Sequence, residues 1–253
     1  MNTTAIHIER IGDIALLRID RPPANAIDLA LAGEFENALA TIEASKDIGA
    51  LIVTGAGKCF SAGLDLKAIP TYDESQQKEM VMHVNRLFGR LYGLALPTIA
   101  AVNGHAIAGG VILDLACDYR IGAEGDYKLG LAEVRVGVAF PVAAMAIVKS
   151  ELSHQVGRLM VLTARNLNPE EALASGVLDE LRPAEQLLDR AVEVARELAE
   201  LPRDTYARVK LSMRAPALAK IDDALRNQKE PMLESWLGDE TRKAAGQALK
   251  KAE

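Results

Sequence analysis

Cysteine is scarce in this chain. Cys59 and Cys117 are its two thiols and stand in no metal-ligand spacing, so neither a disulfide framework nor a cysteine zinc cluster holds the fold. Long apolar runs are lacking too: Gly, Pro or charge interrupts each one before the roughly 20 residues that a bilayer span needs. No secretory leader precedes the first strand pattern, which leads us to expect a reducing, cytoplasmic setting. Basic excess is missing, with 29 Lys and Arg against 35 Asp and Glu and a net charge of -6. Nucleic acid is therefore a poor partner, since such binding rests on cations that neutralise phosphates. A small phosphate-bearing molecule stays compatible, because a few local cations suffice. The 253 residues can bury one large core without a metal or disulfide.

Residues 4 to 20 alternate apolar and polar around Gly12-Asp13, the pattern of a hairpin. Asp28 heads a helical stretch with Leu31, Phe35, Ala38, Leu39 and Ile42 on one face, and Ala50-Leu51-Ile52-Val53 reads as the next strand. A second unit repeats this, with Met80, Val84, Leu87, Phe88 and Leu91 along a helix and Thr98 to Val102 as a strand. Tyr119 to Ala123 predicts a further strand. Helical signals follow: Asn168-Pro169 as cap and first turn with Gly176 as stop, then 184 to 201, then a last helix ending in Lys250-Lys251. The pattern gives an α/β class with roughly five to seven strands, and is compatible with a doubly wound sheet or a spiral of β-β-α units. Near Pro202 the core pattern gives way to charged helices, dividing the chain into 1–201 and 202–253.

Chemistry can sit in two glycine-rich loops that follow strands. Gly55-Ala56-Gly57-Lys58-Cys59-Phe60-Ser61-Ala62-Gly63-Leu64-Asp65-Leu66 fails as a dinucleotide fingerprint, because Phe60 stands where the third glycine belongs. It fails as a P-loop too, because Cys59 follows the lysine. What is left is a loop exposing backbone N–H groups, notably that of Leu64. Asn103-Gly104-His105-Ala106-Ile107-Ala108-Gly109-Gly110 repeats the device ahead of an apolar helix. Two such N–H groups can converge on one carbonyl oxygen and stabilise an enolate; equally, glycines at both places serve as ordinary tight turns.

Taken together, these blocks carry a resemblance. Lys58 to Leu66, Asn103 to Gly110 and Cys117-Asp118-Tyr119-Arg120 match in order and spacing the signature blocks of crotonases, the enoyl-CoA hydratase/isomerase superfamily. The likeness extends through Gly130-Leu131-Ala132-Glu133, Gly137 and Asn168 to Asp179, and so covers about residues 10 to 250. It implies an α/β spiral of β-β-α units with a C-terminal helical trimerisation region, trimers or hexamers, and acyl-CoA thioester substrates. No cofactor beyond the coenzyme A of the substrate is implied, and no metal. Leu64 and Gly109 are then the oxyanion donors and Glu133 the catalytic base. Substrate contacts are implied along Ala24, Ala62, Gly63, Leu64, Asp65, Leu66 and Gly109, with Lys250 reaching the CoA phosphates.

The carboxylates separate the reactions. Hydratases of this kind carry two catalytic glutamates, and the first of those positions here is Ile112. Hydration positions and deprotonates a water while a proton reaches C2, whereas a double-bond shift needs one base that removes a proton at C2 and returns it at C4. One glutamate points to isomerisation of 3-enoyl-CoA to 2-enoyl-CoA. Phe60 to Leu66, Cys117 to Ile121 and Gly130-Leu131-Ala132-Glu133 resemble mitochondrial-type 3,2-enoyl-CoA isomerases, and Gly137-Val138-Ala139-Phe140-Pro141-Val142 is similar to a stretch of theirs, although Ala132 replaces their usual Asn. Asp114 falls about 160° around the helix from Ile112 and should not substitute for a glutamate there. Asp65 is expected to hold its loop, His105 to pack or line it, Cys59 to be inert, and Met80, Leu87 and Leu91 to form core or pocket wall. Three readings stand: the isomerase, a hydratase or other enolate-forming crotonase, and a CoA-binding relative without catalysis. An RNA-binding variant is disfavoured, because the corresponding helix carries Glu34, Glu36, Glu43 and Asp47.

Overall fold

Ile6–Ile11 (β1) and Ile14–Ile19 (β2) pair antiparallel around the Gly12-Asp13 turn, as the alternation requires. In this computed structural model, residues 4–230 and 233 are described. Leu29–Ala44 (α1) begins where the Asp28 carboxylate accepts from Leu31 N at 2.8 Å, a side-chain cap that satisfies one free helix donor. Ala50–Gly55 (β3) and Cys59–Ser61 (β4) then lead to Glu74–Tyr92 (α2), which opens on an Asp73/Gln76 capping box. The motif recurs as Thr98–Val102 (β5), His105–Ile107 (β6) and Gly109–Leu115 (α3), and again as Tyr119–Ala123 (β7), Leu129–Gly130 (β8) and Val142–Glu151 (α4). His154–Thr163 (α5), Asn166–Leu167 (β9), Pro169–Ala174 (α6), Glu180–Arg182 (β10), Leu187–Ala199 (α7) and Arg203–Asn227 (α8) complete the order.

Each unit gives its first strand to one sheet and its second to another. The larger sheet runs β1-β2-β3-β5-β7-β10, parallel from β2 onward, and the smaller runs β4-β6-β8-β9. This is the crotonase spiral, and it settles the choice against a doubly wound sheet. The sharp bends need small residues: a methyl group on Gly104, between β5 and β6, would fall 2.1 Å from Lys58 O. Only glycine fits that approach. The ten strands among the described residues exceed the expected five to seven. Those of the smaller sheet are two or three residues long, too short to show a period of two.

The core lies between the larger sheet and the helices, where every residue of β3 and β5 is buried. Helix α8 closes the opposite side through a buried ionic seam. Asp118 pairs with Lys210 at 2.7 Å and with Arg214 at 3.0 Å, and Arg214 also lies 4.0 Å over the Tyr92 ring while donating to Ala116 O and Cys117 O. Burial lowers the Lys210 pKa against the pull of Asp118. The expected helix ending in Lys250-Lys251 lies outside the described residues, as does Lys250 itself.

Candidate functional site

The first glycine loop is held from behind by the segment that precedes α1. Ala62 N donates to Ala24 O at 2.9 Å, Ile27 N to Gly63 O at 2.7 Å, and Asp65 N to Ile27 O at 2.9 Å. These bonds straddle Leu64 and leave its N–H out of the ladder. Gly63 adopts φ +74, which points the Leu64 N–H away from the strand. Arg21 locks the arrangement, with one guanidinium nitrogen 2.8 Å from both Asp28 and Asp65. Burial pushes the Asp65 carboxyl upward, but Arg21 and the N–H groups of Ala68 and Lys67 outweigh it and hold it below the usual range. Asp65 thus spends its oxygens on the loop, and Ala24 contributes through its backbone carbonyl.

The second loop brings Gly109 against the first. Ala108 takes φ +51 and ψ -119, a strained conformation for a residue with a side chain, immediately ahead of α3. Gly109 is the first residue of that helix, so its N–H lies beyond intrahelical reach. The two loops touch: a methyl group on Gly63 would stand 2.6 Å from Gly109 N.

Glu133 arrives from the third unit. The β6–β8 pairing and the bond from Ala108 N to Gly130 O, 2.7 Å, set the chain so that the short helical turn Glu133–Val136 starts beside α3. Its side chain is buried, Oε2 has no hydrogen-bond partner among the described residues, and burial pushes its pKa up to about 7 although its own backbone N–H pulls the other way. A buried carboxylate with one oxygen left free, its pKa pushed toward neutrality by burial, suits a proton-transfer group.

Leu64, Gly109 and Glu133 line one cavity of about 90 Å³, together with Ala62, Leu66, Ala132 and an apolar wall that includes Val84, Phe88, Ile112, Pro141 and Ala144. Gly63 packs against Gly109 without lining the cavity itself, and Ala24 and Asp65 stand behind the loop. Ile112 faces the cavity one turn after Gly109. Asp114 faces the other way: it is fully buried, and burial raises its pKa to about 8. Burial also raises the Cys59 pKa, leaving no activated thiol there. His105 accepts from Lys128 N and sits edge-on to Tyr127. Met80, Leu87 and Leu91 are fully buried core, and it is Val84 and Phe88 of the same helix that reach the cavity. Among the described residues, no group of three or more His, Cys, Asp or Glu is placed to hold a metal ion.

Two features went unread in the sequence. Arg21 bridges two aspartates far apart in the chain, and nothing in the spacing of Arg21, Asp28 and Asp65 signals that bridge. Asn25 is buried and donates to Ala56 O and Cys59 O, pinning the turn between β3 and β4 and the first residue of β4.

Comparison with known proteins agrees with this architecture. Residues 9–251 match the family described as enoyl-CoA hydratase/isomerase. The chain is 30% identical over 235 residues to the carnitinyl-CoA dehydratase of Escherichia coli, covering 92% of this chain and 88% of that protein. It is 28% identical over 249 residues to the short-chain-enoyl-CoA hydratase of Clostridium acetobutylicum, covering 96% and 94%. Human mitochondrial delta3-delta2-enoyl-CoA isomerase superimposes with a TM-score of 0.91 at 25% identity, over 98% of each chain. With the spiral, the paired loops and these similarities in hand, the chain belongs to the enoyl-CoA hydratase/isomerase family.

Proposed function

We propose that this acyl-CoA enzyme shifts the double bond of a 3-enoyl-CoA to give the 2-enoyl-CoA. In this reading the thioester oxygen sits on the Leu64 and Gly109 N–H groups. Glu133 removes a proton at C2, the dienolate charge is held by the two donors, and the same carboxyl returns the proton at C4. Coenzyme A would run along Ala24 and the Ala62 to Leu66 loop, with Lys250 at its phosphates, and no further cofactor takes part.

One observation carries the choice of reaction: among the described residues, Glu133 is the sole carboxylate lining the cavity, and apolar Ile112 occupies the place of a second. Supplying purified protein with 3-hexenoyl-CoA and, separately, 2-hexenoyl-CoA tests it. The first should yield 2-hexenoyl-CoA and the second almost no 3-hydroxyacyl product. Hydration is the second reading, favoured by the hydratase and dehydratase names of the similar bacterial proteins. Efficient hydration by the wild type would establish it.

Ile112→Glu sharpens that test. The new carboxylate should raise hydration by about tenfold or less, because two carboxyls in one apolar cavity resist ionising together. The gain should grow as pH rises past the titration of the pair. An unchanged hydration rate in a folded, acyl-CoA-binding variant would remove Ile112 from its assigned role.

Self-association belongs to the same proposal. Met213 and Val209 on α8 are 77% and 54% exposed, and Leu162 on α5 is 68% exposed, so large apolar side chains stand in solvent on the helical side. Covering them in a trimer or hexamer removes that cost. Light scattering at micromolar concentration should give at least three times the 27.2 kDa chain mass. A monomeric mass would count against assembly.

A further inference from the structure

We infer that the cavity selects a short acyl chain that carries no charge, an inference that rests on its being the acyl-CoA site. Its size comes first. A cavity of roughly 150 Å³ lined by aliphatic and aromatic side chains accommodates benzene, so the space of about 90 Å³ found here holds about four carbons. The two N–H groups and Glu133 border that same space, so carbons C1 to C4 of the thioester, the ones the reaction involves, fill it. Carbons beyond C4 must displace the wall.

The wall is built to resist displacement. Val84 and Phe88 stand four residues apart on one face of α2, both fully buried, with core residues behind them. The Phe88 ring presses on the donor loop: a methyl group on Gly109 would lie 3.3 Å from its Cζ. Ile112, fully buried, closes the α3 side. On the α4 side, Pro141 and Ala144 are held by a hydrogen-bonded tie. Asn85, between Val84 and Phe88, accepts from Ala143 N at 2.8 Å and donates to Glu230 at 2.7 Å, and Glu230 accepts from Val142 N at 3.0 Å. The wall residues of α2 and α4 are thus bound to one another, and opening the cavity for a longer chain breaks buried hydrogen bonds.

Charge is excluded by the same lining. Among the described residues, no Lys, Arg or His borders the cavity. A distal carboxylate on the acyl group would be buried without a partner beside Glu133, which repels it. A trimethylammonium group, as in a carnitinyl thioester, finds Phe88 as the single aromatic among the described residues of the lining rather than a cage. The substrate class is therefore a short, uncharged acyl-CoA.

Calorimetric titration with saturated thioesters tests this apart from the chemistry, since they bind without reacting. Butyryl-CoA should bind most tightly, hexanoyl-CoA less so, and decanoyl-CoA and succinyl-CoA about tenfold or more weaker than butyryl-CoA. Ile112→Ala, which enlarges the cavity at the cost of packing, should recover decanoyl-CoA affinity relative to butyryl-CoA by at least several-fold. Should that variant fail to fold, Phe88→Leu supplies the same comparison. Decanoyl-CoA or succinyl-CoA binding the wild type as tightly as butyryl-CoA would overturn the selection. Isomerase activity could fail while this ranking holds, which would reject the reaction and keep the substrate class. If no thioester binds better than free coenzyme A, both fall.

Discussion

Glu133→Gln is expected to lower the rate constant of the chemical step by about 10² to 10⁴ while leaving acyl-CoA affinity within a few-fold. The substitution keeps the shape of a buried side chain and removes its ability to take a proton. With the folded-state pKa near 7, wild-type kcat/KM should fall as pH drops below about 7, because the base must be ionised to act. Stability should move the other way. Folding raises this carboxyl from 4.5 to about 7, so the folded chain holds its proton more tightly than the unfolded one. Its contribution is fully present below pH 4.5, declines as pH rises to about 7, and above that is a constant penalty. Glutamine removes the penalty, so Glu133→Gln should exceed wild type in stability at pH 8 by up to about 3 kcal/mol, with the gap closing toward pH 5. Single-turnover kinetics and urea melts at the two pH values measure both. A variant that turns over near the wild-type rate, or a wild-type rate profile with its midpoint near 4.5, would remove Glu133 as the base.

Gly63→Ala should cost about 10² or more in kcat, for a different reason. The new methyl group would stand 2.6 Å from Gly109 N and 2.8 Å from Ile107 O, both backbone atoms that cannot rotate aside. It would separate the two loops and occupy the approach to the second donor. Loss of one such donor costs about 10² to 10³ in kcat, and here both are disturbed. Positive φ adds about 1 to 2 kcal/mol of strain, which by itself would lower stability rather than the rate. Gly12→Ala separates these effects, because Gly12 has φ +67 with nothing within 4 Å of the added carbon. It should lose comparable backbone stability and keep full turnover in the folded fraction. Wild-type kcat in folded Gly63→Ala would show that the loops do not form a shared oxyanion site.

What the sequence made legible follows from how local each constraint is. Asp28 and Asn168 cap helices through bonds that close within three residues, so their positions announce α1 and α6. The glycines at 63 and 104 are read easily because steric exclusion leaves no other residue there, and Ile112 is read because an apolar residue in a polar role is conspicuous. The cavity wall was hidden for the opposite reason. Helix α2 buries a face somewhat more than half its circumference wide, and Val84 and Phe88, which reach the site, share it with Met80 and Leu87, which do not, so periodicity alone does not distinguish them. The Arg21 clamp and the Asn85–Glu230 tie join residues tens to more than a hundred positions apart, and such pairings have no sequence period.

The seam under α8 has a consequence for how the molecule opens. Asp118 lies at the start of β7, accepting from Lys210 and Tyr206 while its backbone N–H donates to Thr98 O of β5. Pulling α8 away would strand a buried carboxylate in the sheet and two cations on a departing helix, a loss far larger than that of a frayed surface element. The helix is therefore expected to have no low-energy detached state at neutral pH, and hydrogen exchange should place the amides of residues 203–227 in the slow class of the central strands, as one cooperative unit with the sheet.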